Sequence, residues 1–302
     1  VRMITAARLM AAEAVLKSKD GHVEEAVNEC LDGIRFVLPQ LKNPTIICYL
    51  ISLANMKNFV VPLRWILSRN DLPVETLQKV RNMLDVQIWR EAMIWALETE
   101  RALGFDIAMN IINGDKIIMG RNDIFHARET SVLDRAFSWC IRPLYKSEMM
   151  WMLNFWEKVI PKGAVPYYEL EDLEKAFSEA IIPAPRYYKM MRWMIPNIAT
   201  MKLKLTTLEA MLITADVGIA CRIYKKENGN YPESLDKLVP LYLDELPPDP
   251  FTGKALFYRI EDSGFRVYSL GSNRKDDGGR GTLYLTKMVM DKDDDWSWEQ
   301  LN

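Results

Sequence analysis

Through most of the first two hundred residues, apolar positions recur every three or four places. That spacing marks helices that bury one face. Residues 3–18 are rich in Ala, Leu and Met, and Asp20-Gly21 breaks the run. Over 22–38, Val23, Ala26, Val27, Cys30, Leu31, Ile34 and Val37 form one apolar stripe. The two segments read as an αα-hairpin. Asn43-Pro44 predicts the next helix start, with Asn as N-cap and Pro at the first helical position. That helix runs to about Ser68 with a kink at Pro62. Asp71-Leu72-Pro73 opens another, carrying Leu77, Val80, Leu84, Ile88, Trp95 and Leu97. Gly104, Asn113-Gly114-Asp115 and Gly120 predict a looser stretch over 104–128. Helices resume over 129–160 and 168–181, with breaks at Pro161-Lys162-Gly163 and at Pro183 and Pro185.

The pattern changes after about residue 205. Thr206 with Glu209 reads as a capping box opening a helix to about Glu227, which Asn228-Gly229-Asn230 ends. Pro232 opens a short helix with Leu235, Leu238 and Val239. Three prolines and a Thr-Gly exclude regular structure over 246–254. Alternating runs at 255–260 and 265–270 flank Asp262-Ser263-Gly264 and predict a β-hairpin. A Gly/Asp loop over 271–281 leads to a third alternating run at 282–290. The expectation is a mainly α chain of two units. One is an antiparallel, repeat-like helical domain over 1–205, and the other a small α+β head over 206–302. The first hairpin resembles a single tetratricopeptide-type unit, although the 34-residue period does not clearly recur.

Composition narrows the class. With 302 residues, 49% apolar and 26% charged, the chain can bury a real core. Lys and Arg total 39 against 41 Asp and Glu, which argues against nucleic-acid binding through a bulk basic field. The longest apolar stretch, 44–64, carries Lys57 in its middle, so no membrane span is expected here. The chain opens at Val1, and an export signal or anchor is expected upstream. Cys30, Cys48, Cys140 and Cys221 lack C-x-x-C spacing and read as buried thiols; a Cys30–Cys48 bridge would require helix displacement.

Two features invite a functional reading. Trp139, Tyr145, Met149, Met150, Trp151, Met152, Phe155 and Trp156 form a helical stripe that suits either a helix core or a partner surface. Trp139, Met149, Trp151, Phe155 and Trp156 are the partner-binding candidates. His126 beside Asp123 and Arg128 is a weak catalytic pair. The clusters Glu98/Glu100 and Glu169/Glu171/Asp172/Glu174 read as solvated helix faces. There is no Gly-rich phosphate loop, no G-x-S-x-G and no H-E-x-x-H.

An ordered set of motifs lies between 220 and 279. Tyr224, Gly229, Tyr231 and Pro232 stand in a Tyr-x-x-x-x-Gly-x-Tyr-Pro pattern. Leu246, Pro247, Asp249 and Pro250 form a Leu-Pro-x-Asp-Pro turn, followed by Gly253 and Tyr258, then Tyr268, Ser269 and Gly271 in a Tyr-Ser-x-Gly loop. This third of the chain resembles the globular head of the type II secretion major pseudopilin. The whole chain resembles exported bacterial proteins with a long helical N-terminal region. About 205 helical residues stand where a pseudopilin has its filament helix.

The resemblance implies a calcium loop. Here Asn273 takes the place of the family's first acid, with Asp276, Asp277 and one of Asp293, Asp294 and Asp295 supplying charge. The expected ligand set is Leu270, Asn273, Asp276, Asp277 and Asp295, and a solvated Asp/Gly turn is the competing reading. The functional expectation is a non-enzymatic structural or interaction subunit, exported to the periplasm or cell envelope, with a protein partner or a second copy. A divergent pseudopilin-like component and an enzyme with an unrecognised site are the alternatives.

Overall fold

A computed structural model describes residues 2–43, 45–113, 132–170, 175, 185, 188, 197–261, 264–279 and 296–301. The predicted strand at 282–290, the His126 group, Asp295 and the side chains of Trp139 and Cys140 lie outside the described residues.

Helices α1 (Arg2–Lys19) and α2 (Val23–Val37) form the expected hairpin about Gly21. A 3-10 turn (Leu38–Lys42) leads to α3 (Ile46–Arg69), which packs on both. The α2–α3 approach depends on Gly33. A Cβ there would run into the Phe59 ring. The N-cap of α3 is Thr45, not Asn43; its Oγ1 accepts from the Cys48 amide at 3.2 Å.

The helix expected after Pro73 is two helices, α4 (Val74–Arg81) and α5 (Gln87–Asn113). Asp85 caps the second start, its Oδ1 accepting from the Gln87 amide at 2.8 Å. Helix α5 continues through Gly104, where loosening was expected, and packs against α6 (Val132–Ala164). Pro161 and Gly163 fall inside the end of α6, and a 3-10 turn (Tyr167–Glu169) follows it.

Helix α7 (Ile198–Asn228) begins one full stretch earlier than the capping box at Thr206 predicts. Asn197 caps it, its Oδ1 accepting from the Thr200 amide at 2.9 Å. The boundary placed at 205/206 therefore lies within a continuous helix. Gly229 ends α7 in the left-handed conformation (φ 84°), as expected.

Beyond a 3-10 turn at Leu235–Leu238, β1 (Phe257–Glu261) and β2 (Gly264–Ser269) form the expected hairpin. The third strand is β3 (Trp296–Leu301), within the acidic, aromatic end of the chain. The sheet is antiparallel in the order β1-β2-β3. Helix α7 crosses α3, α4, β2 and β3, and β3 also lies against α3. A single hydrophobic core accordingly joins Leu31, Phe59 and Trp89 to Leu238, Phe251, Phe265 and Val267. Among the described residues the fold is mainly α-helical with one small antiparallel sheet.

Candidate functional site

The head motifs converge on Asp249. Its carboxylate is wholly buried. Oδ1 accepts from the Phe251 amide at 2.9 Å and from Ser269 Oγ at 2.7 Å, and Oδ2 accepts from the Leu270 amide at 3.1 Å. The Leu-Pro-x-Asp-Pro turn and the Tyr-Ser-x-Gly loop thus meet in one corner. Tyr258, from the strand motif, donates to the Pro232 carbonyl at 2.7 Å, which ties in the Tyr-Pro signature.

The loop that follows is held largely by protein donors. Asp276 Oδ1 accepts from Tyr268 Oη at 3.0 Å and from the Gly278 amide at 2.9 Å. Asp277 Oδ2 accepts from Asn273 Nδ2 at 2.8 Å, and Asn273 Oδ1 accepts from the Lys275 amide at 2.9 Å. Arg259 donates to the Gly278 carbonyl at 2.6 Å and Arg266 to the Gly279 carbonyl at 2.9 Å. Arg274 turns away, toward the Tyr167 ring and carbonyl. Leu270, Asn273, Asp276 and Asp277 do share this loop, and their oxygens suit calcium in kind. Calcium takes six to eight oxygens, and among the described residues no three metal-binding side chains converge. Asp295, the remaining candidate, lies outside those residues.

The proposed partner stripe on α6 divides. Phe155 and Trp156 are each only 2% exposed and belong to the core; Met149 and Trp151 are half-buried. Trp151 stacks on Phe155 at 5.8 Å between ring centres and meets Tyr188 edge-on at 6.4 Å. The pattern reads correctly as a helix face, but Phe155 and Trp156 turn inward and cannot meet a partner. Among the described side chains of this stripe, Met150 alone is strongly exposed.

Helix α7 is fastened to the array by polar groups, of which the sequence pattern singled out only Glu209, and that as a helix cap. Lys202 is buried and donates to the Gly163 carbonyl at the end of α6 at 2.9 Å. Glu209 receives Arg90 of α5 at 2.7 Å, and Asp216 receives Arg81 of α4 at 2.6 Å. Arg222 donates to the carbonyls of Leu67 at 2.6 Å and Asn70 at 2.7 Å, at the end of α3. Lys202, Glu209 and Asp216 are spaced by seven residues, so one stripe of α7 carries three of these ties.

Three other positions complete the picture. Lys57, midway along the apolar α3, is half-buried, and burial with the neighbouring Lys204 charge lowers its amine to about 8. Helix α3 is, among the described residues, the helix long and apolar enough to cross a membrane, though most of it is packed inside the protein. Cys30, Cys48 and Cys221 are free thiols, with Cys48 only half-buried; burial pushes the Cys30 thiol up to about 12. The signal missed in the sequence lies on α1, where Leu9 and Leu16 are 67% and 60% exposed on one side of the helix. No family model matches the chain, and no curated protein or solved structure matches it.

Proposed function

We propose that the chain is a structural or protein-interaction subunit of an exported assembly, in the periplasm or cell envelope. The observation that carries this reading is the mounting of the head on the helical array. Lys202, Glu209, Asp216 and Arg222 tie α7 to four other helices before the chain reaches the strands of the head. A head so fixed presents its loops at a set distance and orientation from the array, which suits a spacer or adaptor. Its ionic groups serve as ties between elements. Calcium belongs to this reading as a loop stabiliser held by Leu270, Asn273, Asp276, Asp277 and Asp295.

The test is fractionation of the native cell followed by cross-linking. The expected result is recovery in the envelope or periplasmic fraction, within species heavier than the 35.0 kDa chain. A cytosolic chain that stays uncross-linked would sink the proposal. A divergent pseudopilin-like component is the second reading. The Asp249 corner favours it, since two of the resembling motifs meet there. Co-purification with filament-forming pseudopilins would distinguish it from a free-standing adaptor.

A further inference from the structure

We propose that α1 is the surface through which two copies of this chain pair, side by side and parallel. The inference deepens the interaction reading above and rests on it. Helix α1 has two opposed apolar faces. Ala7, Ala11, Ala14 and Ser18 are buried on the side toward α2 and α3. Thr5, Leu9, Ala12 and Leu16, all exposed, follow one another at spacings of four, three and four. That spacing is the seam of a two-stranded coiled coil, with Leu9 and Leu16 at a and Thr5 and Ala12 at d. In the same register Ala7 and Ala14 fall at f, and Ala11 and Ser18 at c, which point away from the seam. The helix can therefore serve its own core and a second copy at once. Two large leucines left in water one heptad apart on a regular helix gain from being covered.

The flanking charges select the occupant and its direction. Arg8 takes position g and Glu13 position e, and both are exposed. In a parallel pair, g on one helix faces e five residues further on in the other. Arg8 of each copy then meets Glu13 of the other, twice over by two-fold symmetry. An antiparallel pair with Leu9 opposite Leu16 would bring the two Glu13 side chains together instead. Glu13 has Lys17 within 3.0 Å on its own helix, and Lys17 is also held by Glu29 at 2.9 Å, so a carboxylate is on hand for Arg8 without stripping Lys17 of its charge partners.

Sedimentation equilibrium of the whole chain over a wide concentration range gives the first reading. The average mass is expected to rise from 35.0 kDa toward twice that value. The double variant Leu9→Glu/Leu16→Glu is expected to stay monomeric with an unchanged circular dichroism spectrum, and with the melting midpoint that the parent shows at dilutions where it is monomeric, because both side chains are exposed in the single chain. Arg8→Glu should weaken pairing by about tenfold or more, and Arg8→Glu with Glu13→Arg should restore it. Leu9→Cys, run beside the parent chain as control, should form a disulfide-linked dimer on mild oxidation, since position 9 faces position 9 of the other copy only in the parallel arrangement. A parent chain that is monomeric at every concentration overturns the proposal. So does pairing that survives the double glutamate variant, or a Leu9→Cys chain that does not cross-link. A monomer in solution that still enters heavier species in the cell overturns the α1 pairing alone and leaves the interaction role standing.

Discussion

Asp249 is named by its motif, and Ser269 by another twenty residues away, yet nothing in either motif states that the two touch. The contact is made by the chain folding back, and its energetics follow from burial. Three donors converge on one carboxylate that has no access to water. In Asp249→Asn an amide N–H must face the Leu270 or Phe251 N–H, so a donor goes unpaired. The expected cost is about 2–4 kcal/mol in urea unfolding, against about 1 kcal/mol for Ser269→Ala, which removes one donor and leaves the other two bonds. Equal losses would show that the corner is not centred on the carboxylate. Lys57 is the opposite case, a charge that the sequence displays plainly as an interruption in an apolar run. Burial, then Lys204, lowers its amine from 10.5 to about 8. The unfolded chain therefore holds this proton more tightly, and the folded state is penalised while the amine is charged in both. Stability is expected to rise as pH moves from about 8 toward 10.5, as that penalty is lifted. Lys57→Met is expected to be more stable than the parent at pH 7, by on the order of 1–3 kcal/mol. The gap should narrow as pH is raised through that window. A constant gap across pH in paired urea titrations would show that Lys57 is not the titrating group.

At the level of elements, the helices were largely readable and their ends were not. The stripe on α2 and the glycine stop of α7 are local, and local patterns suffice for them. Thr206 and Glu209 imitate a capping box because the same pair has other work in mid-helix. Thr206 Oγ1 donates back to the Lys202 carbonyl at 3.0 Å, and Glu209 is taken by Arg90 from α5. The break between α4 and α5 carries neither proline nor glycine, so no strong breaker marked it. On α6 the aromatic stripe was visible, but which side faced the core depended on Tyr188 and on α5. The loop over 271–279 shows the same limit. Its acids were evident, whereas Arg259 and Arg266 reach it from the sheet. These guanidinium contacts replace part of what an ion would contribute, and Asp295 would have to complete the oxygen set. With calcium bound there, millimolar calcium is expected to raise the melting midpoint above that in chelator, and Asp277→Asn is expected to abolish the rise. Coincident melts of the parent chain would leave the loop as one held by arginine alone.

For the whole molecule, the decisive element is α7, because it belongs to both units anticipated from the sequence. Its first half reaches α6 and α5 through Lys202 and Glu209, its second half reaches α4 and the end of α3 through Asp216 and Arg222, and β2 and β3 also pack on it. Leu205, Leu208, Leu212, Ala215 and Ile219 are buried along its length, in the core that also holds Phe251, Phe265 and Val267. Two domains divided at 205/206 would have to divide that core. Cooperative unfolding follows from shared burial, since neither part keeps its apolar contacts once the other opens. The expected outcome is one transition in urea, with tryptophan fluorescence and far-ultraviolet circular dichroism reporting the same midpoint. A fragment of residues 206–302 is expected to lose most of the helicity of α7, because its buried side chains would face water. The loss of the Arg81 and Arg90 ties would add to this by leaving Asp216 and Glu209 without their partners. Two separated transitions in the whole chain, or a fragment that unfolds cooperatively near the parent's midpoint, would restore the two-domain division and detach the head from the array. The adaptor reading would then lose its main physical support, because a detachable head fixes no distance between the surfaces it joins.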